Sequence, residues 1–197
     1  MRSFVAIDLP EPIKAALLEQ QHALRRATGL TTGRNQDMKW GRPEGIHLTL
    51  KFLGEISEGK VTQVTEALAE IGNFEPCALE VKGFGFFPDA RRPRVLWVGV
   101  DAPSELGQLA SRVERACERI GFAPEDRTFA PHLTLARFKV QRSQPELVAL
   151  VESKRNLALG RFEVSEFFLF ESRLSPQGAE YRKIARFPAE ESGKTRK

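Results

Sequence analysis

His47-Leu48-Thr49-Leu50-Lys51-Phe52-Leu53 and His132-Leu133-Thr134-Leu135-Ala136-Arg137-Phe138 are two versions of one stretch, 85 residues apart in a chain of 197 with only three histidines. Chance places a threonine two positions after both of some pair of those histidines about 1% of the time or less, and the shared leucines reduce that further. The repeat therefore implies an internal duplication, with two lobes related by an approximate twofold axis. On a strand, residues two apart share a face, so His47 projects with Thr49 and His132 with Thr134. The leucines between them point the other way, into a core. A His and a Thr about 7 Å apart on one strand cannot bond each other, but they can grip one tetrahedral group between them. Two such pairs meeting across an axis make a cleft with a general base, a general acid and two hydroxyl donors.

Outward from the repeat, helical periodicity covers Glu11 to about Ala27, Glu58 to Ile71, Pro103 to Ile120 and, more weakly, Pro145 to about Ser153. Gly72 and Gly121 follow the second and third as stop signals. Strand-like stretches rich in β-branched and aromatic residues lie at Phe4–Leu9, Met38–Trp40, His47–Leu53, Ala78–Phe84, Val95–Val100, His132–Val140, Arg161–Phe170 and Tyr181–Phe187. A helix and then a pair of strands follow each copy of the motif. Clean alternation with few long crossovers predicts an α+β fold. It is a bilobal, pseudo-twofold duplication with antiparallel sheets flanked by helices and a cleft between lobes. No linker divides the chain, so residues 1–188 are expected to form one bilobal domain with one motif per lobe. Residues 189–197 lack an apolar anchor and read as a flexible tail.

Composition narrows the function. The content is 41% hydrophobic and 28% charged, as in globular proteins, and no run approaches the roughly 20 apolar residues of a membrane span. The N-terminus reads as a strand ending in Asp8 rather than as a signal peptide. Cys77 and Cys117 are too few for a disulfide framework and lack metal-site spacing, so both are expected to be ordinary thiols in a cytoplasmic protein. A net charge of +4 favours anionic partners only mildly. Arg91, Arg92 and Arg94 cluster in a proline-containing loop that could track RNA phosphates or simply face solvent.

Two histidines in matching repeats are not what packing alone asks for. Zinc would want three or four strong ligands; a threonine hydroxyl is a poor one, and neither motif has a carboxylate beside its His. Neither threonine has an adjacent base and orienting acid, which argues against a threonine nucleophile. Paired acid–base catalysis on a phosphodiester remains, with no metal and no cofactor. An imidazole pKa near 6.5 lets one ring be neutral while the other is charged. A strained 2′,3′-cyclic phosphate suits such modest equipment. The residues alone do not say which histidine is acid and which is base.

The chain resembles the RNA 2′,3′-cyclic phosphodiesterases of the 2H phosphoesterase superfamily, also called 2′-5′ RNA ligases. The similarity runs through Arg42-Pro43-Glu44 into His47–Glu55, then Val95–Val100, Pro131–Arg137 and Leu169–Leu174 to Tyr181. It implies metal-free hydrolysis of RNA 2′,3′-cyclic phosphate ends, or of nucleoside cyclic phosphates, to 2′-phosphates; the chain itself is expected to be a monomer that binds no membrane. The resemblance makes His47 similar to the proton donor, His132 to the proton acceptor, and Thr49, Thr134 and Arg137 to the phosphate-binding residues. Strict alternation would turn Arg137 away from the other four, so a bulge or the end of the strand must re-aim it. The same alternation puts Phe52 with Leu48 and Leu50 in the core, although Phe52 or Trp40 could stack on a base. Gly41 and Gly45 are expected to loosen entry to the first motif. Alternatives on the same site are 2′-5′ RNA ligation, 2′,5′-phosphodiester cleavage, or binding of RNA or nucleotides without turnover.

Overall fold

Alternation along Arg2–Asp8 (β1) sends Val5 and Ile7 into one core and Phe4 and Ala6 to the other face, and one of the two sheets is built around that strand. The computed structural model describes residues 1–28, 38–142, 144–175 and 178–188. After β1 come α1 (Glu11–Ala27), β2 (Met38–Trp40), a 3₁₀ turn (Pro43–Gly45), β3 (His47–Glu55) and α2 (Glu58–Ala69). Then follow β4 (Cys77–Phe87), β5 (Val95–Asp101), α3 (Ser104–Arg119), β6 (His132–Phe138) and α4 (Pro145–Ser153). The chain continues through β7 (Ala158–Val164), β8 (Glu166–Ser175) and β9 (Gly178–Pro188).

These strands form two antiparallel sheets, β3-β1-β8-β9 and β2-β6-β5-β4-β7. Each carries one copy of the motif, on β3 in the first sheet and β6 in the second. The duplicated unit is β–α–β–α: β1-α1-β3-α2 matches β5-α3-β6-α4. The helices exchange partners. α1 packs across β7 of the second sheet, with Ile13 against Gly160, while α3 packs on β3 of the first. Both helices then share a core in which Leu17, Leu24, Val113, Leu48 and Leu133 are fully buried.

Two expectations are corrected here. Arg161–Phe170 is not one strand: it breaks at Ser165, and the two pieces enter different sheets, β7 beside β4 and β8 beside β1. The strand pairs after the two motifs therefore do not complete their own lobes. The β4–β5 hairpin that follows the first motif belongs to the second sheet. Residues 189–197, read as a tail, lie outside the described residues. Cys77 and Cys117 are buried free thiols, and among the described residues no helix is long and apolar enough to cross a membrane.

Candidate active site

His47 and Thr49 pair with Asp8 and Ala6 across β3–β1, and His132 and Thr134 pair with Gly99 and Trp97 across β6–β5. All four motif side chains are half-buried, while Leu48, Leu50, Leu133 and Leu135 between and behind them are buried. Alternation thus holds over the tetrapeptides, with the leucines as anchors. Each imidazole is pinned in the same way. Nδ1 of His47 donates to the carbonyl of Gly45 at 2.8 Å, and Nδ1 of His132 donates to that of Ala130 at 2.7 Å, both two residues back. A carbonyl only accepts, so the proton sits on Nδ1 in both rings and Nε2 is left as the free basic nitrogen.

At the last residue of each tetrapeptide both strands bulge at the same place. In β3 the register jumps from Ala6↔Thr49 to Val5↔Lys51, and in β6 from Trp97↔Thr134 to Leu96↔Ala136, so Leu50 and Leu135 are the extra residues. A bulge shifts the phase of alternation by one. Arg137 consequently joins the face of His132 and Thr134, and it is exposed. Phe52 occupies the corresponding place beside His47 and Thr49. It is 60% exposed rather than in the core with Leu48 and Leu50, which corrects the expectation from strict alternation.

A helix from the other repeat braces each bulge. Gln21 on α1, 1% exposed, donates its Nε2 to the carbonyls of Leu135 and Gly41. Glu114 on α3 takes the Lys51 ammonium, which also donates to the carbonyl of Ala123. Gln21 and Glu114 each lie ten residues past the first residue of their helix, so the braces are themselves part of the repeat.

Around the two histidines the halves diverge. His47 stacks on Phe4 at 4.3 Å between ring centres, with Tyr181 edge-on at 5.1 Å and Phe170 beyond. Phe4, Ala6, Phe168 and Phe170 form a separate apolar cluster beneath it. A Cβ at Gly45 would lie 2.7 Å from the Tyr181 ring, so that glycine tightens the first motif's surroundings rather than loosening its entry. His132 instead meets Phe87 edge-on at 4.9 Å, and Phe87 leans on Trp97. Phe4, Tyr181 and Phe87 were not legible as site residues, because each comes from a strand distant in sequence. Asp8 was visible only as an acid ending the first strand.

Electrostatics ties the faces together. Burial pushes the His47 pKa down to about 4; the Gly45 hydrogen bond and the Asp8 charge oppose this, and Arg137 adds to it. Arg137 acts on His47 from the other sheet, and Cα atoms of β3 and β6 approach within 8 Å, so the two motif faces border one cleft. Asp8 is itself held ionised: burial would raise its pKa, but hydrogen bonds from Lys183 at 2.6 Å and Lys14 at 3.0 Å outweigh that and lower it. Trp40 lies under the Arg25 guanidinium, 4.8 Å from its ring centre, and not beside the histidines.

The arrangement has counterparts. Residues 18–175 match the family model of the 2′-5′ RNA ligase superfamily. A protein named RNA 2′,3′-cyclic phosphodiesterase from Aeropyrum pernix is 41% identical over 80% of this chain and 89% of its own length. Proteins of the same name from Archaeoglobus fulgidus and Methanothermobacter thermautotrophicus are 35% and 33% identical over more than nine-tenths of both chains. Among solved structures, a Thermus thermophilus protein superposes with a TM-score of 0.76 at 29% identity, covering 95% of this chain and 97% of its own. LigT of E. coli, solved with 3′-AMP, shares the fold at a TM-score of 0.76 and 24% identity, covering 96% and 98% of the two chains.

Proposed function

Because this chain belongs to the 2′-5′ RNA ligase superfamily, we propose that it hydrolyses RNA 2′,3′-cyclic phosphate ends to 2′-phosphates with its paired histidines and no metal. The observation that carries this reading is the matched pinning of the two imidazoles. One ring per sheet is fixed through Nδ1 to a carbonyl two residues back, with a threonine two places on along the same face. The names of the relatives supply the substrate class.

The cyclic phosphate sits between the motifs, its non-bridging oxygens taking hydrogen bonds from Thr49 and Thr134 and the charge of Arg137. Nε2 of His132 accepts a proton from water as the water oxygen attacks phosphorus. The P–O3′ bond breaks, and Nε2 of His47 gives its proton to O3′, leaving a 2′-phosphomonoester and a 3′-hydroxyl. Solvent then resets both rings. A donor must carry a proton, yet burial holds His47 near pKa 4. The bound phosphate resolves this, since an opposite charge a few ångströms away raises such a pKa by about 1–3 units. His47 is therefore charged by its substrate, and the apolar bed of Phe4 and Phe170 makes that charging dependent on the anion.

The test is hydrolysis of a nucleoside 2′,3′-cyclic phosphate in excess EDTA by the native chain, His47→Ala and His132→Ala. Full native activity and a loss of at least about a hundredfold in each variant are expected. Abolition by EDTA, or a variant that keeps its rate, would overturn the mechanism.

A further inference from the structure

The duplication sets a histidine and a threonine alike in both sheets, yet what stands across the ladder from each histidine differs. Opposite His47 is Asp8 on β1; opposite His132 is Gly99 on β5, which has no side chain. Directly paired residues share a sheet face, with Cα atoms about 4.5–5.5 Å apart. The Asp8 side chain therefore stands on the motif face beside His47. The acid of β5, Asp101, comes two residues after Gly99, is 63% exposed and faces Lys82 at 2.6 Å.

Asp8 is held in place rather than left free to meet a substrate. Its Oδ1 accepts the Leu9 N–H at 2.9 Å and faces the Lys14 ammonium at 3.0 Å, and its Oδ2 faces Lys183 at 2.6 Å. Lys183 reaches it from β9 across the sheet, its ammonium 4.0 Å from the centre of the Phe168 ring. The two lysines keep Asp8 an anion, so it does not take up the proton that His47 needs. Burial and, from β6, Arg137 oppose a protonated His47, whereas the Asp8 charge favours one. The other charged or titratable groups around this ring are Lys183 and Tyr181 on β9, Lys14 on α1, His132 across the cleft, and exposed Arg42 and Glu44 in or beside the preceding turn. Phe168 and Phe170 of β8 bring no charge to this face. Lys51, on β3 itself, lies on the opposite face with Glu114.

We propose that Asp8 is the residue that makes His47, and not His132, the proton donor: a positioning residue that touches no substrate and acts as a fixed anion beside one imidazole only. This rests on the function proposed above and gives its division of acid and base a structural cause. The competing role is that of a tie, an ion pair that fastens β9 and α1 to the end of β1. Asp8→Asn and Lys183→Met break the same ion pair, so loss of a tie moves His47 the same way in both. Charge acts oppositely in the two. Asparagine removes the anion and leaves both cations, while methionine removes one cation and leaves the anion with Lys14.

The test follows the His47 ring by NMR between pH 4 and 8 in saturating inorganic sulfate, whose charge is constant over that range. The proton affinity of His47 should fall about tenfold in Asp8→Asn and rise in Lys183→Met. At pH 7, kcat/KM of Asp8→Asn for a nucleoside 2′,3′-cyclic phosphate should fall about tenfold with it, because fewer molecules carry the donor proton. An unchanged affinity in Asp8→Asn, or shifts of the same sign in the two variants, would overturn the proposal. If the native protein hydrolyses no cyclic phosphate, the function proposed above fails. The two titrations then decide alone whether Asp8 sets the charge of His47.

Discussion

Replacing His47 with phenylalanine should make this protein less sensitive to acid, even though it removes a hydrogen bond. In the folded chain, burial over Phe4 and Phe170 holds His47 near pKa 4, against about 6.5 for an ordinary histidine. Between those two values the unfolded chain binds a proton that the folded chain refuses, so stability rises with pH across that window. The contribution is fully present above about pH 6.5 and is lost as pH falls toward 4. At pH 4.5 the loss assigned to this one ring is about 2–3 kcal/mol. Phenylalanine keeps the stack on Phe4 and cannot titrate; it forfeits the bond to the Gly45 carbonyl at every pH alike. Urea unfolding of both proteins at pH 7.5 and 4.5 isolates the effect, because the carboxylates common to both cancel in the double difference. The native protein should lose about 2–3 kcal/mol more than His47→Phe over that interval. Equal losses, or a histidine resonance of His47 titrating near 6.5, would refute the claim that burial sets this group.

Thr49→Val and Thr134→Val should each lower kcat/KM on a cyclic nucleotide by about tenfold to a thousandfold while the unfolding midpoint stays put, since each removes one donor to the phosphate. Gln21→Leu leaves the Gly41 carbonyl without its partner and should cost about 1–3 kcal/mol by urea titration, with Arg137 less well placed and kcat/KM reduced. Lys51→Met takes the cation from Glu114 and a donor from the Ala123 carbonyl beneath the other bulge and should cost a similar amount; no change in either variant would deny the braces their role. Phe52→Ala should shift stability by no more than about 0.5 kcal/mol, whereas a core phenylalanine would cost about 3–5 kcal/mol.

Much of the site could be read from residue order because its governing rule is local. Two-residue alternation places His47 with Thr49 and His132 with Thr134, and leucine patterning marks what lies behind them. The helices, too, announce themselves by periodicity, and α1 and α4 run over the residues expected of them. What escaped the sequence depends on contacts between distant segments. Alternation asks for something to re-aim Arg137, but that it is a bulge at Leu135, and that a matching one at Leu50 exposes Phe52, is fixed by pairing with β1 and β5 and by braces from the opposite repeat's helix. The break at Ser165 is invisible in a run of strand formers, since only the two waiting sheet edges, β4 and β1, pull the halves apart. The apolar bed that sets His47 apart from His132 draws on β1, β8 and β9.

The most direct test is a crystal structure of the protein with inorganic phosphate bound. Nε2 of both His47 and His132, and the hydroxyls of both Thr49 and Thr134, should lie within about 3.2 Å of one phosphate, with Arg137 beside it. A phosphate held by one motif alone, or seated away from both, would contradict the paired-histidine mechanism.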